Sequence, residues 1–157
     1  MGKRIEVGKV AAVIGTRYPP PFDLPCRARE RRRLGDAAGL TQFGVNVLRL
    51  PPGTWSSQRH WHGGEDEFVY ILEGEVVLVS GAGEELLRAG DAAGFKAGDP
   101  DGHCLQNRSN ADAVLLEVGT RAAVDAVDYP DIDMVLPADK ARGFMHRDGT
   151  PYPQPER

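Results

Sequence analysis

Residues 67–88, EFVYILEGEVVLVSGAGEELLR, decide the fold. They hold three short apolar runs, EFVYIL, EVVLVS and EELLR, separated by Glu73-Gly74 and by Gly81-Ala82-Gly83. The runs have strand length and are rich in Val, Leu and aromatic residues, and the glycines between them favour turns. A parallel connection needs about a dozen residues or more, so neighbours this close must run antiparallel. The same punctuation continues on both sides. FGVNVLRL (43–50), AAGF (92–95), HCLQN (103–107) and AVLLEVG (113–119) are further strand-sized runs, set apart by Pro51-Pro52-Gly53, Gly90-Asp91 and Asn110-Ala111-Asp112. Helical periodicity is almost absent between Phe43 and Val118. Seven or more such strands close best as a barrel or jelly-roll sandwich, so the expected fold class is all-β.

The flanks read differently. A chain of 157 residues has room for one core and not for separate cofactor and substrate domains. The expected organisation is an N-terminal arm (1–42), a barrel domain (43–120) and a C-terminal arm and tail (121–157). Residues 1–40 carry Pro19-Pro20-Pro21 and the arginine-rich RARERRR (27–33), and the C-terminal flank carries YPDIDMVLP (129–137) and the proline-rich TPYPQPER (150–157). Such arms are expected to pack on the barrel or on a second copy of the chain. Exposed strand edges are most simply protected by pairing, so a homodimer is expected.

Composition narrows the partners. Apolar residues make up 41% of the chain and charged residues 27%, values that argue against both wholesale disorder and a membrane class. No apolar run approaches the roughly 18 residues of a membrane span, and MGKRIEVGKVAAVIG (1–15) is too polar for a secretory signal. A cytoplasmic address with no membrane partner is therefore expected. The formal net charge of −4 argues against a nucleic-acid partner. RARERRR followed by LGDAAGLTQFGV (34–45) superficially resembles the start of a helix-turn-helix. The second helix is missing, because FGVNVLRL alternates as a strand and ends at Pro51-Pro52. The arginines are expected in a solvated basic loop or against a partner subunit. Cys26 and Cys104 form no Cys-x-x-Cys pair and read as reduced thiols.

The densest chemistry lies at HWHGGEDE (60–67). Strand alternation puts His60 and His62 on one face and Trp61 on the other. After the Gly63-Gly64 turn a carboxylate from the next strand can complete a metal site, and Glu67, which opens that strand, is the expected donor. Glu65 and Asp66 sit nearer the turn and are expected in solvent. By itself, His-x-His also fits two surface histidines on an edge strand. The glutamate spacing and the later His103 favour ligands.

These residues carry a family resemblance. Gly53 to Gly74, GTWSSQRHWHGGEDEFVYILEG, resembles the first motif of the cupin superfamily: a glycine, then His-x-His, a glutamate after three or four intervening residues, and a glycine after six more. Gly90 to Asn107, GDAAGFKAGDPDGHCLQN, resembles the second motif, with His103 followed by Asn107 after three intervening residues. The resemblance covers residues 43–118. It implies a double-stranded β-helix, a small conical barrel that holds one divalent transition metal through His60, His62, Glu67 and His103. Gly53 lies one residue farther from His60 than the pattern expects, His103 lies two farther from Gly98, and Lys96 stands where proline is usual. Those departures affect the pocket mouth and remove no donor.

Three imidazoles and one carboxylate suit Mn, Fe, Co, Ni or Zn and leave one or two positions open for a substrate or water. The resemblance implies a metal-dependent enzyme of isomerase, lyase or dioxygenase type acting on a small polar metabolite. The alternative is a non-catalytic module that binds a metal, sugar or small metabolite, since the fold does not choose among these. No general acid or base stands out in the two motifs, because Glu67 is assigned as a ligand. Trp55, Tyr70 and Phe95 are candidate pocket aromatics, with core packing as the competing role. Asn107 and Gly74 read as turn residues, Cys104 as a buried thiol facing away from the ligands, and Arg59 as outward-pointing and open to an anion. Gly63-Gly64 and the lengthened loops suggest an accessible mouth.

Overall fold

Twelve short strands carry the chain in the computed structural model, which describes residues 2–153. They are β1 (Ala12–Ile14), β2 (Glu30–Arg33), β3 (Phe43–Leu50), β4 (Trp61–His62), β5 (Glu67–Glu73), β6 (Glu75–Ser80), β7 (Gly83–Arg88), β8 (Ala92–Phe95), β9 (Cys104–Gln106), β10 (Ala113–Thr120), β11 (Val127–Tyr129) and β12 (Met134–Leu136). The last four residues of the proline-rich tail lie outside the described residues. Among those described, no helix is long and apolar enough to cross a membrane.

All pairings are antiparallel. A six-stranded sheet runs in the order β1-β2-β3-β10-β5-β8, and two three-stranded sheets run β7-β6-β9 and β12-β11-β4. The all-β jelly-roll expectation is met. One detail of the opening stretch differs from a simple meander. The second break is a hairpin, with Val77 opposite Leu86, but at Gly74 the chain leaves the large sheet for the small one. Gly74 has φ +72°, and a Cβ there would run into the carbonyl of Asp112, so this crossing requires glycine.

The two facing sheets bury one apolar core. Leu48, Leu50, Ile71, Ala113 and Leu115 come from the large sheet, and Val76, Leu87 and Leu105 from the small one. Burying each such branched side chain contributes roughly 1.5–3 kcal/mol relative to leaving it in water. Moving along β3, β10 and β5 toward the other end, the inward rows change character. Leu48–Leu115–Ile71 is followed by Asn46–Glu117–Val69 and then by Gly44–Gly119–Glu67. Bulky apolar side chains thus give way to polar ones and then to two glycines. The sheet stays paired while its interior empties into a cavity.

The arms join the barrel directly. β2 pairs with β3, and β1 with β2, so RARERRR is neither a solvated loop nor an unpaired segment: Glu30–Arg33 form a strand paired on both sides, and β1 is the sheet edge. Arg31 faces inward, where Glu117 meets it with two hydrogen bonds of 2.9 and 3.1 Å. On the outer side Arg49 bonds Glu30 and Asp112. The C-terminal arm reaches the barrel through β11, where Val127 pairs with His62 and Asp128 with Trp61. A second apolar cluster of Tyr18, Cys26, Val127, Tyr129 and Met134 ties both arms together, with Trp55 packed against it.

Candidate metal centre

Backbone pairing builds the centre. His60 and His103 exchange both N–H···O bonds, at 3.1 and 2.9 Å, which brings their rings to 4.7 Å between centroids. His62 follows by alternation, and Glu67 projects from the inward face of β5. The three imidazole Nε2 atoms converge on one carboxylate: His103 at 3.0 Å from Oε2, His60 at 3.4 Å from Oε2, and His62 at 3.4 Å from Oε1. Donor atoms of His60, His62 and Glu67 all lie within 4.8 Å of one another. Two donors each about 2.1 Å from one metal and at right angles stand about 3.0 Å apart, so these spacings match the edges of a coordination polyhedron. The four sequence-selected residues come together: His60, His62 and Glu67 form a group that could hold a metal ion, and His103 joins it through its contact with Glu67.

The hydrogen bonds behind the rings aim them. Nδ1 of His60 lies 2.9 Å from the Gln58 carbonyl, which can only accept, so Nδ1 carries the proton and Nε2 keeps its lone pair for a metal. Nδ1 of His62 lies 2.8 Å from Asp125 Oδ2 in the same sense. Such carboxylate–histidine contacts fix the ring and raise its basicity toward a metal. His103 is held instead by stacking on Phe95, with ring centroids 3.5 Å apart and planes 2° from parallel.

Electrostatics points the same way. Burial pulls the Glu67 carboxyl upward, but the three imidazoles outweigh it and hold it well below the usual carboxylate range. Burial pulls His62 down, while Glu67 and Asp125 raise it to about 9. An ionised carboxylate sunk among imidazoles demands a cation. A proton on His62 meets part of that demand, and a divalent ion would meet all of it.

The C-terminal arm supplies residues that the motifs do not contain. Asp125 is fully buried and accepts from His62 Nδ1, from Gly64 N–H at 3.0 Å and from Lys140 Nζ at 3.1 Å. Gly64 makes this possible, because a Cβ there would collide with the Val124 carbonyl. The glycine pair therefore docks the arm, which corrects the reading of Gly63-Gly64 as a mark of an open mouth. Glu65 is also not in solvent. Its side chain is 16% exposed, accepts from Ala122 N–H at 3.3 Å and lies 3.5 Å from Lys140 Nζ. Replacing Asp125 with Asn keeps the shape and removes the charge behind His62. Metal affinity in a chelator competition is expected to fall by about 10–100-fold, and an unchanged affinity would mean that Asp125 serves only to dock the arm.

A cavity of about 700 Å³ opens on the donors. Its walls include Tyr18 and Arg29 from the N-terminal arm, Glu117 and Gly119 from β10, and Tyr129 and Lys140 from the C-terminal arm. A smaller cavity of about 280 Å³ shares His62, Glu67 and His103 with it and is also lined by Phe95 and Lys96. Of the candidate aromatics, Phe95 thus reaches the site. Trp55 lies in the second apolar cluster, and Tyr70 stands 39% exposed on the outer face of β5, where the alternation that turns Glu67 inward puts it. Arg59 is not free for an anion, since Asp131 holds it at 2.8 and 2.9 Å. Asn107 stabilises its turn from a buried side chain that donates to the Leu50 and Ala111 carbonyls. Cys104 is buried and donates to the Ser57 carbonyl at 2.9 Å.

A small antiparallel barrel with a histidine-rich donor group at its open end defines a class. Residues 46–119 match the cupin domain family model. A solved sugar phosphate isomerase of the cupin superfamily from Silicibacter pomeroyi is 43% identical, with 95% of this chain and 96% of that one covered at a TM-score of 0.89. The chain belongs to the cupin superfamily. A solved protein from Acidithiobacillus ferrooxidans, whose own assignment as a sugar phosphate isomerase is provisional, is 30% identical over 77% of this chain and 78% of that one, with a TM-score of 0.72. The oxalate-binding protein of Thermotoga maritima is 37% identical over 71 residues, 45% of this chain. That match spans 56% of the relative's length, so it bears on the barrel and not on the whole protein.

Proposed function

We propose that the protein is a metal-dependent isomerase of a small phosphorylated sugar. The observation that carries the reading is the similarity to the Silicibacter pomeroyi isomerase, because a match over 95% of the chain takes in both arms that complete the cavity, and not the barrel alone. His60, His62, Glu67 and His103 would hold the metal, which supplies Lewis-acid polarisation of a substrate oxygen. The remaining work falls to the chain. Isomerisation takes a proton from the carbon beside a carbonyl and returns it to the neighbouring carbon, so no oxidant or second substrate is consumed. Glu65 is assigned that proton. Its carboxylate lines the cavity beside His62, is not one of the four donors, and has Lys140 at its other side. Tyr18, which burial pushes up to about 12, stays neutral and presents a hydroxyl as a hydrogen-bond donor. Burial holds Tyr129 neutral in the same way.

A second reading is a non-catalytic carrier of a small dicarboxylate, supported by the partial match to the Thermotoga maritima oxalate-binding protein. Proton NMR in deuterated water separates the two. Metal-replete protein mixed with aldose and ketose phosphates is expected to interconvert a pair and to place solvent deuterium on the carbon that receives the proton, and chelator should stop both. Saturable oxalate binding without turnover of any sugar phosphate would overturn the isomerase in favour of the carrier.

A further inference from the structure

One member of the arginine-rich segment directs an uncompensated charge into the cavity from a fixed position. Arg27 pairs with Asp23, Arg31 with Glu117, Arg32 donates to the Val10 carbonyl, and Arg33 is exposed. Arg29 is different. It is partly buried, its Nε donates to the Gly15 carbonyl at 3.0 Å, and one terminal nitrogen donates to the Ser56 carbonyl. Both acceptors are neutral, so they orient the guanidinium without cancelling its charge. Among the described residues no carboxylate pairs with Arg29, and its Nη2 makes no hydrogen bond. The Tyr18 ring lies 6.0 Å from its central carbon and braces the plane.

Among the described residues, each carboxylate lining the cavity already has its own partner. Glu117 is engaged by Arg31 and Asn46, Glu67 by the three histidines, Glu65 by Lys140 and Asp36 by Arg121, and of these Glu117 reaches Arg29 only through its field and not by contact. A second cation, Arg31, stands close enough to lower the Arg29 pKa further, after burial, which is the larger cause. A partly buried guanidinium held in place by carbonyls and left without a carboxylate is suited to an incoming oxyanion, which its planar fork can grip through parallel N–H bonds. Arg29 lines the same cavity as the metal donors, and about 700 Å³ lies within the usual range for small-molecule sites.

We propose that Arg29 is the anchor for the anionic end of the substrate, binding the phosphoryl group while the sugar's reacting carbons face the metal donors. This rests on the isomerase reading for the identity of the anion, and the shared chemistry is a compact oxyanion, phosphoryl or carboxylate. The N-terminal arm thereby sets substrate choice, a role outside both sequence motifs.

The test is calorimetric titration of inorganic phosphate, and separately of oxalate, into the full chain with metal bound and with metal removed. Wild-type protein is expected to bind phosphate in both states. Arg29→Gln should weaken it at least about tenfold, in line with loss of a charge-assisted contact, while retaining metal. Stronger loss for oxalate than for phosphate would name a carboxylate as the natural end and displace the phosphoryl assignment. Equal phosphate affinity in wild type and Arg29→Gln, or no phosphate binding by wild type, overturns the anchor. If Arg29→Gln does not fold, Arg29→Lys decides. It keeps the charge and loses the fork, so phosphate should bind several-fold more weakly, and wild-type affinity would overturn the proposal. An Arg29-dependent phosphate site in a protein that turns over no sugar phosphate would leave the anchor standing and remove the isomerase. Turnover with an unchanged KM in Arg29→Gln would do the reverse.

Discussion

Removing the metal is expected to lower the melting temperature of the protein by about 10 °C. The donors that would hold it come from distant parts of the chain: His60 and His62 around β4, Glu67 on β5, and His103 just before β9. An unfolded chain cannot present them together, so an ion bound to the native state stabilises it by mass action. At a free metal concentration near a thousand times Kd that amounts to about 4 kcal/mol. For a domain of this size each kcal/mol moves the midpoint by roughly 2–4 °C. The sign is fixed, because Glu67 without a cation is a largely enclosed carboxylate whose charge only a proton on His62 helps to meet. Differential scanning fluorimetry with and without chelator measures the shift. The His60→Ala/His62→Ala variant should melt lower than the holoprotein and ignore the chelator. Superimposed curves for the wild-type protein would count against any metal linked to folding.

Glu65→Gln is expected to lower kcat on the sugar phosphate by about 10²–10⁴-fold, the usual contribution of a positioned proton carrier. Gln keeps the size of the side chain and, through its carbonyl oxygen, the contact with the Ala122 N–H; it loses the ability to take a proton and the partly solvated charge facing Lys140. Metal content and melting temperature should therefore stay close to wild type. That combination matters, because a residue acting only through packing would change stability and KM along with kcat. Steady-state kinetics beside metal analysis makes the comparison. A variant with full kcat would remove Glu65 from the chemistry and turn attention to Lys140, which shares the same corner of the cavity.

The grouping of His60, His62 and Glu67 was legible in the sequence for a physical reason. Alternation places His60 and His62 on one face, and Glu67 opens the strand after a tight turn, whereas His103 was reached only through the resemblance to the second cupin motif. The core strands were legible too, because FGVNVLRL and EVVLVS are apolar runs bounded by turn residues, and the structure returns Phe43–Leu50 and Glu75–Ser80 as strands. The arms were not. ERRR carries charge on both faces, so no apolar period marks it as a strand. It becomes one because Glu117 meets Arg31 inside while Glu30 meets Arg49 outside. Asp125 was hidden for another reason. It is one of several acids in a short polar stretch, and it meets His62 across 63 residues of chain.

Two further signals lie in the alternation of the strands. Glu117 is a lone charge between Leu115 and Gly119 in an otherwise apolar strand, on the face that alternation turns inward. A charge at such a position marks a polar cavity. Tyr70 lies three residues after Glu67, an odd step that puts it on the opposite face from the ligand, so the phase that selects Glu67 also removes Tyr70 from the pocket. Glu65 misled differently. Proximity to a glycine turn suggested solvent, and only the docking of the C-terminal arm over Gly64 explains its partial burial.

The central claim is that His60, His62, Glu67 and His103 hold one divalent transition metal. Metal analysis by inductively coupled plasma mass spectrometry tests it most directly, on protein purified without an affinity tag and beside the His60→Ala/His62→Ala variant. The account predicts about one equivalent of manganese, iron, cobalt, nickel or zinc per chain in the wild-type protein and essentially none in the variant. A wild-type protein that neither carries such a metal nor takes one up from solution, or a variant that holds as much as wild type, would contradict it.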